Sequence, residues 1–173
     1  MTRVHGVTVP KTAIQHVGFG KVDFADAFQA PLTKKKLSIH QNYQAIFANQ
    51  PAWVKSLMAL RTWLVAPFGL KGSKGLPANY LELASKYQVG DKICGWEIYA
   101  QSEDLLVAGM NDKHLDFRVC LQRGRVDGAE NITLSTIVKL NNIWGKGYLA
   151  VIMPFHKAIA KGLIQNAVSA GRI

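Results

Sequence analysis

The feature that most restricts the fold is a change of hydrophobic period just after Gly90. From there on, four segments show the alternation of apolar and polar residues that is typical of β-strands. These predicted strands are Ile93–Gln101, Asp104–Met110, His114–Gln122 and Asn131–Leu140. Short polar turns separate them, with a hairpin loop predicted over Arg125–Asn131, and a parallel crossover would need a dozen or more residues. The sequence therefore predicts an antiparallel sheet built from hairpins.

Helical patterns lie on both sides of these strands. Ser38 followed by Gln41 is a capping box, which begins a helix that runs to about Ala48. The other predicted elements are a strand at Phe24–Gln29, a helix opened by Pro51 and ended by Pro67, a helical piece at Ala78–Lys86, and a last helix over about Lys146–Ala167. Strands grouped together with helices at both ends indicate an α+β fold, with helices packed on one face of an antiparallel sheet.

The 173 residues are enough for one domain, predicted over 1–173 with an irregular segment at 1–21. The net charge of +10 favours acidic partners such as carboxylate or phosphate ligands, an anionic membrane surface or nucleic acid. The basic residues are scattered, however, and no nucleic-acid-binding motif accompanies them, so nucleic acid is not an expected partner. No apolar stretch is long enough for a membrane span, and no signal peptide is recognised, which predicts a cytoplasmic protein. Cys94 and Cys120 lack metal-binding spacing and are expected to be buried thiols.

The strand that starts at His114 carries the only concentration of charged chemistry on a predicted element. His114, Asp116 and Arg118 alternate with Leu115, Phe117 and Val119, so the charged residues share one face. If that face lines a cavity, Arg118 could clamp a carboxylate or phosphate, and Asp116 would orient Arg118 or His114. The alternative is that the apolar residues face the core, which puts the charged side chains on the outer surface of the sheet.

Two further residues are candidates outside that strand. His156 lies on the apolar stripe of the last helix, where it could contact a ligand or shuttle a proton, or be a core histidine held by a partner. Arg61 lies on a mostly apolar helix, where the two alternatives are a side chain that extends along the surface and a pair with Asp112 or Asp116. No histidine spacing typical of a metal site is present, and neither a metal nor a cofactor is expected.

Four segments resemble a bacterial domain-of-unknown-function family (2867-type). They are Pro51–Arg61, Gly90–Glu97, Asn111–Arg118 and Pro154–Ile159, which keep the family's order within a match over about Asp23–Ala167. The resemblance implies a START-like, or Bet v 1-like, helix-grip fold of the SRPBCC kind, in which a curved antiparallel sheet packs around a long C-terminal helix. That family also occurs fused behind dehydrogenase-like NAD-binding domains, but this chain carries no G-x-G-x-x-G of its own.

The function expected from these observations is binding of a small hydrophobic or amphipathic, and in one version acidic, molecule in an internal cavity. The ligand contacts would come from His114, Asp116, Arg118, His156 and Arg61. One alternative is a cyclase-, isomerase- or hydratase-like enzyme that uses His114, Asp116 or His156 as acid–base groups. The other is an interaction module that docks a dehydrogenase-type partner or a second copy of the chain.

Overall fold

The computed structural model describes residues 4–34, 36–65 and 87–173, without the side chains of residues 58 and 60–65. Its strands are β1 (His5–Gly6), β2 (Phe24–Pro31), β3 (Lys92–Ile93), β4 (Trp96–Gln101), β5 (Leu105–Asn111), β6 (Leu115–Val126) and β7 (Ala129–Leu140). They form one sheet in the spatial order β1-β2-β7-β6-β5-β4-β3, and every neighbouring pair is antiparallel. The predicted antiparallel sheet is confirmed.

The described helices are α1 (Lys11–His16), α2 (Ile39–Phe47), α3 (Ala52–Val65) and α4 (Ile143–Ser169). The capping box predicted at the start of α2 is present: Ser38 Oγ accepts from the backbone N–H of Gln41 at 3.2 Å, and Gln41 Oε1 accepts from Ser38 N–H at 2.8 Å. Pro51 stands immediately before α3, as predicted. None of the helices in the described ranges is both long and apolar enough to cross a membrane. The helix end expected at Pro67 and the helical piece expected at Ala78–Lys86 lie outside the described residues.

Two tight turns correct the predicted strand boundaries. The segment Ile93–Gln101 is not one strand, because the chain reverses at Cys94 and Gly95, whose φ angles are 50° and 86°. The hairpin expected over Arg125–Asn131 is present but shorter than predicted, since only Asp127 and Gly128, at φ 51° and 78°, connect β6 to β7. Positive φ at both central residues matches the twist of the flanking strands, which makes such two-residue turns the favoured hairpin connections.

Helices cover one face of the sheet. Buried residues of α2 and α4, among them Tyr43, Ile46 and Ile164, pack there against strand residues such as Leu121 and Leu134. A bulge between Ile98 and Ala100 interrupts the pairing of β4 with β5, and bulges of this kind bend and twist a strand. The molecule is therefore α+β, with a curved antiparallel sheet and a long C-terminal helix, which is compatible with a helix-grip architecture.

The N-terminal segment covers the opposite face of the sheet. Ala13 and Val17 are buried there against Val107 of β5, Cys120 of β6 and Ile137 of β7. The expectation of an irregular segment at 1–21 is corrected in this respect, since it contains β1 and α1. β5 is apolar on both faces, with Leu106 and Ala108 under the helices and Leu105 and Val107 under the N-terminal segment.

Candidate functional site

Both carboxylate oxygens of Asp116 accept hydrogen bonds from neighbouring residues of the fold. Its Oδ2 accepts from Lys139 Nζ at 3.2 Å, and Lys139 is its direct cross-strand neighbour on β7. Its Oδ1 accepts from Asp112 N–H at 3.3 Å and from Asn141 Nδ2 at 3.0 Å. Because both oxygens hold the β5–β6 turn and the strand end together, the expectation that Asp116 orients His114 or Arg118 is wrong.

His114 fastens the same turn to the first residues of α4. It precedes β6, and its Nδ1 lies 3.3 Å from Asn142 Oδ1, the oxygen that caps α4 by accepting from Gly145 N–H at 3.0 Å. Gly145 is required by this contact, because a Cβ there would lie 2.2 Å from the carbonyl oxygen of His114. His114 Nε2 is buried and has no hydrogen-bond partner within the described part of the chain. The role that this geometry supports is positioning of the helix start.

Arg118 lies on the sheet face opposite α4, yet it is only 4% exposed. Its guanidinium carbon is 3.4 Å from the centroid of the Tyr99 ring and 4.7 Å from that of Phe19. Cation–π contacts of this kind strengthen when they are shielded from water. Arg118 therefore lies on the sheet face that the outer-surface alternative predicted. It is not exposed to solvent there, because the N-terminal segment covers the guanidinium.

Neutral oxygens, not carboxylates, bind the guanidinium of Arg118. Nη2 donates to Asn111 Oδ1 at 2.8 Å, and Nη1 donates to the carbonyls of Phe117 at 2.9 Å and Met110 at 3.3 Å. Among the described residues no carboxylate lies within ion-pair distance of it, and Asp116, which was expected to orient it, pairs with Lys139 instead. Burial in this setting lowers the pKa of Arg118 from its ordinary value. Its Nε is buried without a hydrogen-bond partner in the same region.

His156 pairs with an acid on the helix-covered face. Its Nε2 lies 3.3 Å from Asp26 Oδ1 on β2, and the two side chains are 23% and 13% exposed. The imidazole also meets the ring of Phe24 edge-on, with centroids 6.0 Å apart. Asp26 Oδ2 is buried and has no hydrogen-bond partner among the described residues. The expectation of a histidine held by a partner is borne out by this contact, and the free carboxylate oxygen beside it is the unexplained feature of the site.

Asp26 was missed by sequence reasoning, although the sequence contained a signal for it. Phe24, Asp26 and Phe28 occupy every second position of β2 and therefore share one face. The two phenylalanines mark this face as buried, so an apolar residue is expected at position 26 and the sequence has an aspartate there. In register with Asp26 on β7 is Thr136, which is only 8% exposed. The carboxylate therefore faces the interior between β2, β7 and α4.

The interior is more open at this end of the sheet than at the other. In the first half of α4 the side chains Leu149, Ile152, Met153 and His156 are half-buried, whereas Ala160, Leu163, Ile164 and Ala167 in its second half are fully buried. Along β2 the same change occurs between Phe24, which is half-buried, and Ala30, which is fully buried. We define the candidate site as Asp26, His156, Phe24, Phe28 and Thr136.

The structure does not bring the residues predicted from the sequence together. His114 and Asp116 belong to the β5–β6 turn, Arg118 lies under the N-terminal segment, and His156 contacts β2 on the other face. Arg61 falls within α3, but its side chain lies outside the described residues. Their joint role in ligand contact is therefore not supported by position, and only His156 enters the site.

Cysteine and metal chemistry have no geometric support in the described residues. Cys94 and Cys120 are free thiols; Cys120 is buried as expected, whereas Cys94 is only half-buried, and burial raises the pKa of each from 9.0 to about 12. A thiol that stays protonated at neutral pH is a poor nucleophile. Within residues 4–34, 36–65 and 87–173, no three His, Cys, Asp or Glu side chains are grouped so that they could hold a metal ion.

Comparison with known protein families gives one match. Residues 19–163 match the family described as protein of unknown function (DUF2867). The chain belongs to this family. Searches of the curated proteins and of the solved structures found no match to this chain. The matched region includes both members of the Asp26–His156 pair and the β5–β6 turn, and the family's description names no reaction.

Proposed function

We propose that this protein binds a small, mainly apolar molecule between the sheet and α4, with the polar end of the molecule at Asp26 and His156. The observation that carries the proposal is Asp26 Oδ2, a buried carboxylate oxygen without a hydrogen-bond partner among the described residues. Leaving a buried acceptor unsatisfied costs about 1–3 kcal/mol, and more when it is charged. A ligand that donates a hydrogen bond to this oxygen removes that cost.

The chemistry of Asp26 favours a particular polar group on the ligand. An ionised carboxylate only accepts hydrogen bonds, so a hydroxyl or ammonium group satisfies it. A ligand carboxylate would instead meet a like charge on Asp26. Phe24 and Phe28 supply apolar surface on either side of Asp26 along β2. These contacts favour an amphipathic alcohol or amine over an acid.

The proposed location is the one that the START-like resemblance implies, where a ligand lies between a curved sheet and a long C-terminal helix. The first half of α4 supports this location, because its half-buried side chains are mainly apolar and include one polar group, His156. Ligand sites are usually apolar clefts with a few polar groups. A ligand burying about ten methylenes gains roughly 8 kcal/mol gross, and association costs at least about 4 kcal/mol. A hydrogen bond to Asp26 worth about 1.5–3 kcal/mol then gives a Kd of roughly 10–100 μM.

The first experiment is native mass spectrometry for molecules that co-purify with the protein. It is followed by calorimetric titration with decanol, decylamine and decanoate, three probes with the same chain and different polar ends. We expect the alcohol or the amine to bind more tightly than the acid. Asp26→Asn should weaken binding of the amine by about 10- to 100-fold, because each 1.4 kcal/mol corresponds to a factor of ten.

Asp104→Asn is the matched control, since Asp104 is exposed and pairs with Arg123. It should bind the probes like the wild type. If no small molecule co-purifies and none of the three probes binds, the ligand-binding proposal is wrong. If decanoate binds best, a cavity exists but the assignment of a donor-bearing ligand is wrong.

A second proposal is an acid–base enzyme of the isomerase, cyclase or hydratase kind, and the same pair favours it. A carboxylate that holds one imidazole nitrogen fixes the tautomer and leaves the other nitrogen for proton transfer. His156 Nε2 is held by Asp26, and Nδ1 makes no hydrogen bond with any described residue. The test is turnover of a bound molecule identified by mass spectrometry. His156→Gln should abolish turnover while binding persists, and a bound molecule that is recovered unchanged would exclude catalysis on it.

A further inference from the structure

Arg118 is a buried cation without an acid beside it in the described part of the chain. The residue is 4% exposed, and none of the described carboxylates lies within ion-pair distance of its guanidinium. Charged side chains that are buried to this extent are almost always paired with an opposite charge. Within the described residues the guanidinium therefore lacks the counter-charge that a buried arginine normally has.

Two N–H donors of this guanidinium remain after its hydrogen bonds are counted. Arginine has five such donors. Nη2 donates once to Asn111 Oδ1, and Nη1 donates to the carbonyls of Phe117 and Met110. The remaining donors are the second N–H of Nη2 and the N–H of Nε, which has no partner among the described residues. Nε and Nη2 lie on one edge of the planar group, and such an edge matches the two oxygens of a carboxylate or phosphate.

The surrounding residues hold the guanidinium in one position. The centroids of the Tyr99 and Phe19 rings lie 3.4 and 4.7 Å from its central carbon. Gly109 is the cross-strand neighbour of Arg118 on β5 and leaves room for its side chain, since a Cβ there would lie 3.0 Å from the arginine Cδ. Donors that are already held in position lose little freedom when a ligand binds, which favours binding.

The Nη2 end of this edge lies close to the protein surface. Asn111, which accepts from Nη2, is exposed, and Phe19 is half-buried on the loop between α1 and β2. Gly18 and Gly20 flank Phe19, and a Cβ on either glycine would meet nothing within 4 Å. Because glycine permits backbone angles that other residues do not, this loop can change conformation locally. A movement that displaces the Phe19 ring would give a small molecule access to the guanidinium.

We propose that the Nε–Nη2 edge of Arg118 binds the carboxylate of a small organic acid, at a second site on the sheet face opposite Asp26 and His156. A carboxylate carries the single negative charge that neutralises the guanidinium, and its two oxygens match the two nitrogens. Ile137, the cross-strand neighbour of Arg118 on β7, is apolar and fully buried, which favours an acid with an apolar remainder. This inference does not depend on the ligand proposed above.

The charges near Arg118 favour a carboxylate over a phosphate. The carboxylates of Asp116 and Glu97 already exert a negative field on the guanidinium from beyond ion-pair distance. A phosphate group near neutral pH carries more than one negative charge. Its excess charge would remain unbalanced beside Arg118, and an unbalanced charge is costly in a buried setting.

The test is NMR titration of the full chain with sodium acetate, with sodium phosphate and sodium chloride in parallel at the same ionic strength. The signal to follow is the Nε–Hε resonance of Arg118, which is identified by its absence in Arg118→Lys. We expect acetate to move this resonance downfield until it saturates, because a carboxylate oxygen then accepts from Nε. A site with a Kd of about 1 mM is almost fully occupied at about 100 mM acetate.

A variant that supplies an internal carboxylate sharpens the test. Asn111→Asp places one where Oδ1 now lies 2.8 Å from Nη2. It should weaken acetate binding at least about tenfold, because the chain then neutralises its own cation. Asn131→Asp is the matched control, since it adds the same charge near the distant β6–β7 turn, and it should bind acetate like the wild type. Asp26→Asn should also bind acetate like the wild type, which separates the two sites.

The outcomes decide the proposal as follows. A saturable shift in the wild type and in Asn131→Asp, with loss in Asn111→Asp, supports it, and the wild-type titration stands by itself if Asn111→Asp does not fold. Absence of a shift at about 100 mM acetate would overturn the proposal and leave Arg118 a structural cation held by rings and neutral oxygens. An equal shift with chloride would mean an adventitious ion only, and saturation by phosphate but not by acetate would make the carboxylate assignment wrong.

Discussion

Replacing Arg118 by alanine should destabilise the protein by about 3 kcal/mol, although no ion pair is lost among the described residues. Two charge-assisted hydrogen bonds, at 2.8 and 2.9 Å, contribute about 1.5 kcal/mol each. The contacts with the Tyr99 and Phe19 rings add about 2 kcal/mol in this shielded position. Against this, the variant recovers about 2 kcal/mol, because the unsatisfied buried Nε of Arg118 disappears.

Urea denaturation of Arg118→Ala, Arg118→Lys and Arg125→Ala measures these terms. Lysine keeps the charge but cannot reproduce the planar donors between two rings, so Arg118→Lys should lose about 2 kcal/mol. Arg125 is on the same strand with its side chain 75% exposed, and its replacement should change the free energy of unfolding by less than about 0.5 kcal/mol. If Arg118→Ala also stays within about 0.5 kcal/mol of the wild type, the structural role assigned to the buried guanidinium is refuted.

Three further predictions concern other buried contacts. Cys94 and Cys120 should resist thiol reagents near pH 8 until urea unfolds the chain. Burial raises the pKa of both thiols from 9.0 to about 12, so above about pH 9 they ionise first in the unfolded chain. The free energy of unfolding should therefore fall as pH rises above about 9. Asn142→Ala should cost about 1–2 kcal/mol in urea denaturation, because the cap of α4 is lost. Gly109→Ala should destabilise by about 2 kcal/mol or more, since its Cβ would lie 2.0 Å from a carbonyl oxygen, whereas Gly147→Ala, with open space around it, should stabilise α4 by about 0.5–1 kcal/mol in the same assay.

Local patterns in the sequence were sufficient for most of the fold. The Ser38–Gln41 capping box acts over three positions, and the alternation of apolar and charged residues along β6 shows which side chains share a face of the sheet. The reversal at Cys94 and Gly95 was not predicted, because cysteine is not a residue that signals positive φ. The N-terminal segment was missed as a structural element because its apolar residues acquire a role only against Val107 and other residues far along the chain.

The candidate site depended on partners that sequence spacing does not reveal. His156 was recognised on the apolar side of α4, but Asp26 stands 130 positions before it and only the sheet brings the two together. The sequence analysis expected Asp116, the carboxylate nearest in sequence, to contact Arg118. In the sheet Asp116 lies directly across from Lys139 and forms an ion pair with it instead. Pairing partners of charged residues are set by register, and register is a property of the assembled sheet.

The order in which the strands join implies that the candidate site forms late in folding. The β6–β7 hairpin closes through a two-residue turn, whereas β2 pairs with β7 across more than one hundred residues, and α4 brings His156 to β2 only after that. Distant contacts carry the larger loop-closure cost, so elements joined by them tend to assemble after local hairpins. The contact between Asp26 and His156 therefore forms only after β2 has joined the sheet, and β2 is expected to open before the β6–β7 hairpin in partial unfolding. A molecule bound at Asp26 and His156 would slow amide hydrogen exchange in β2 and α4 while leaving exchange in the β6–β7 hairpin unchanged.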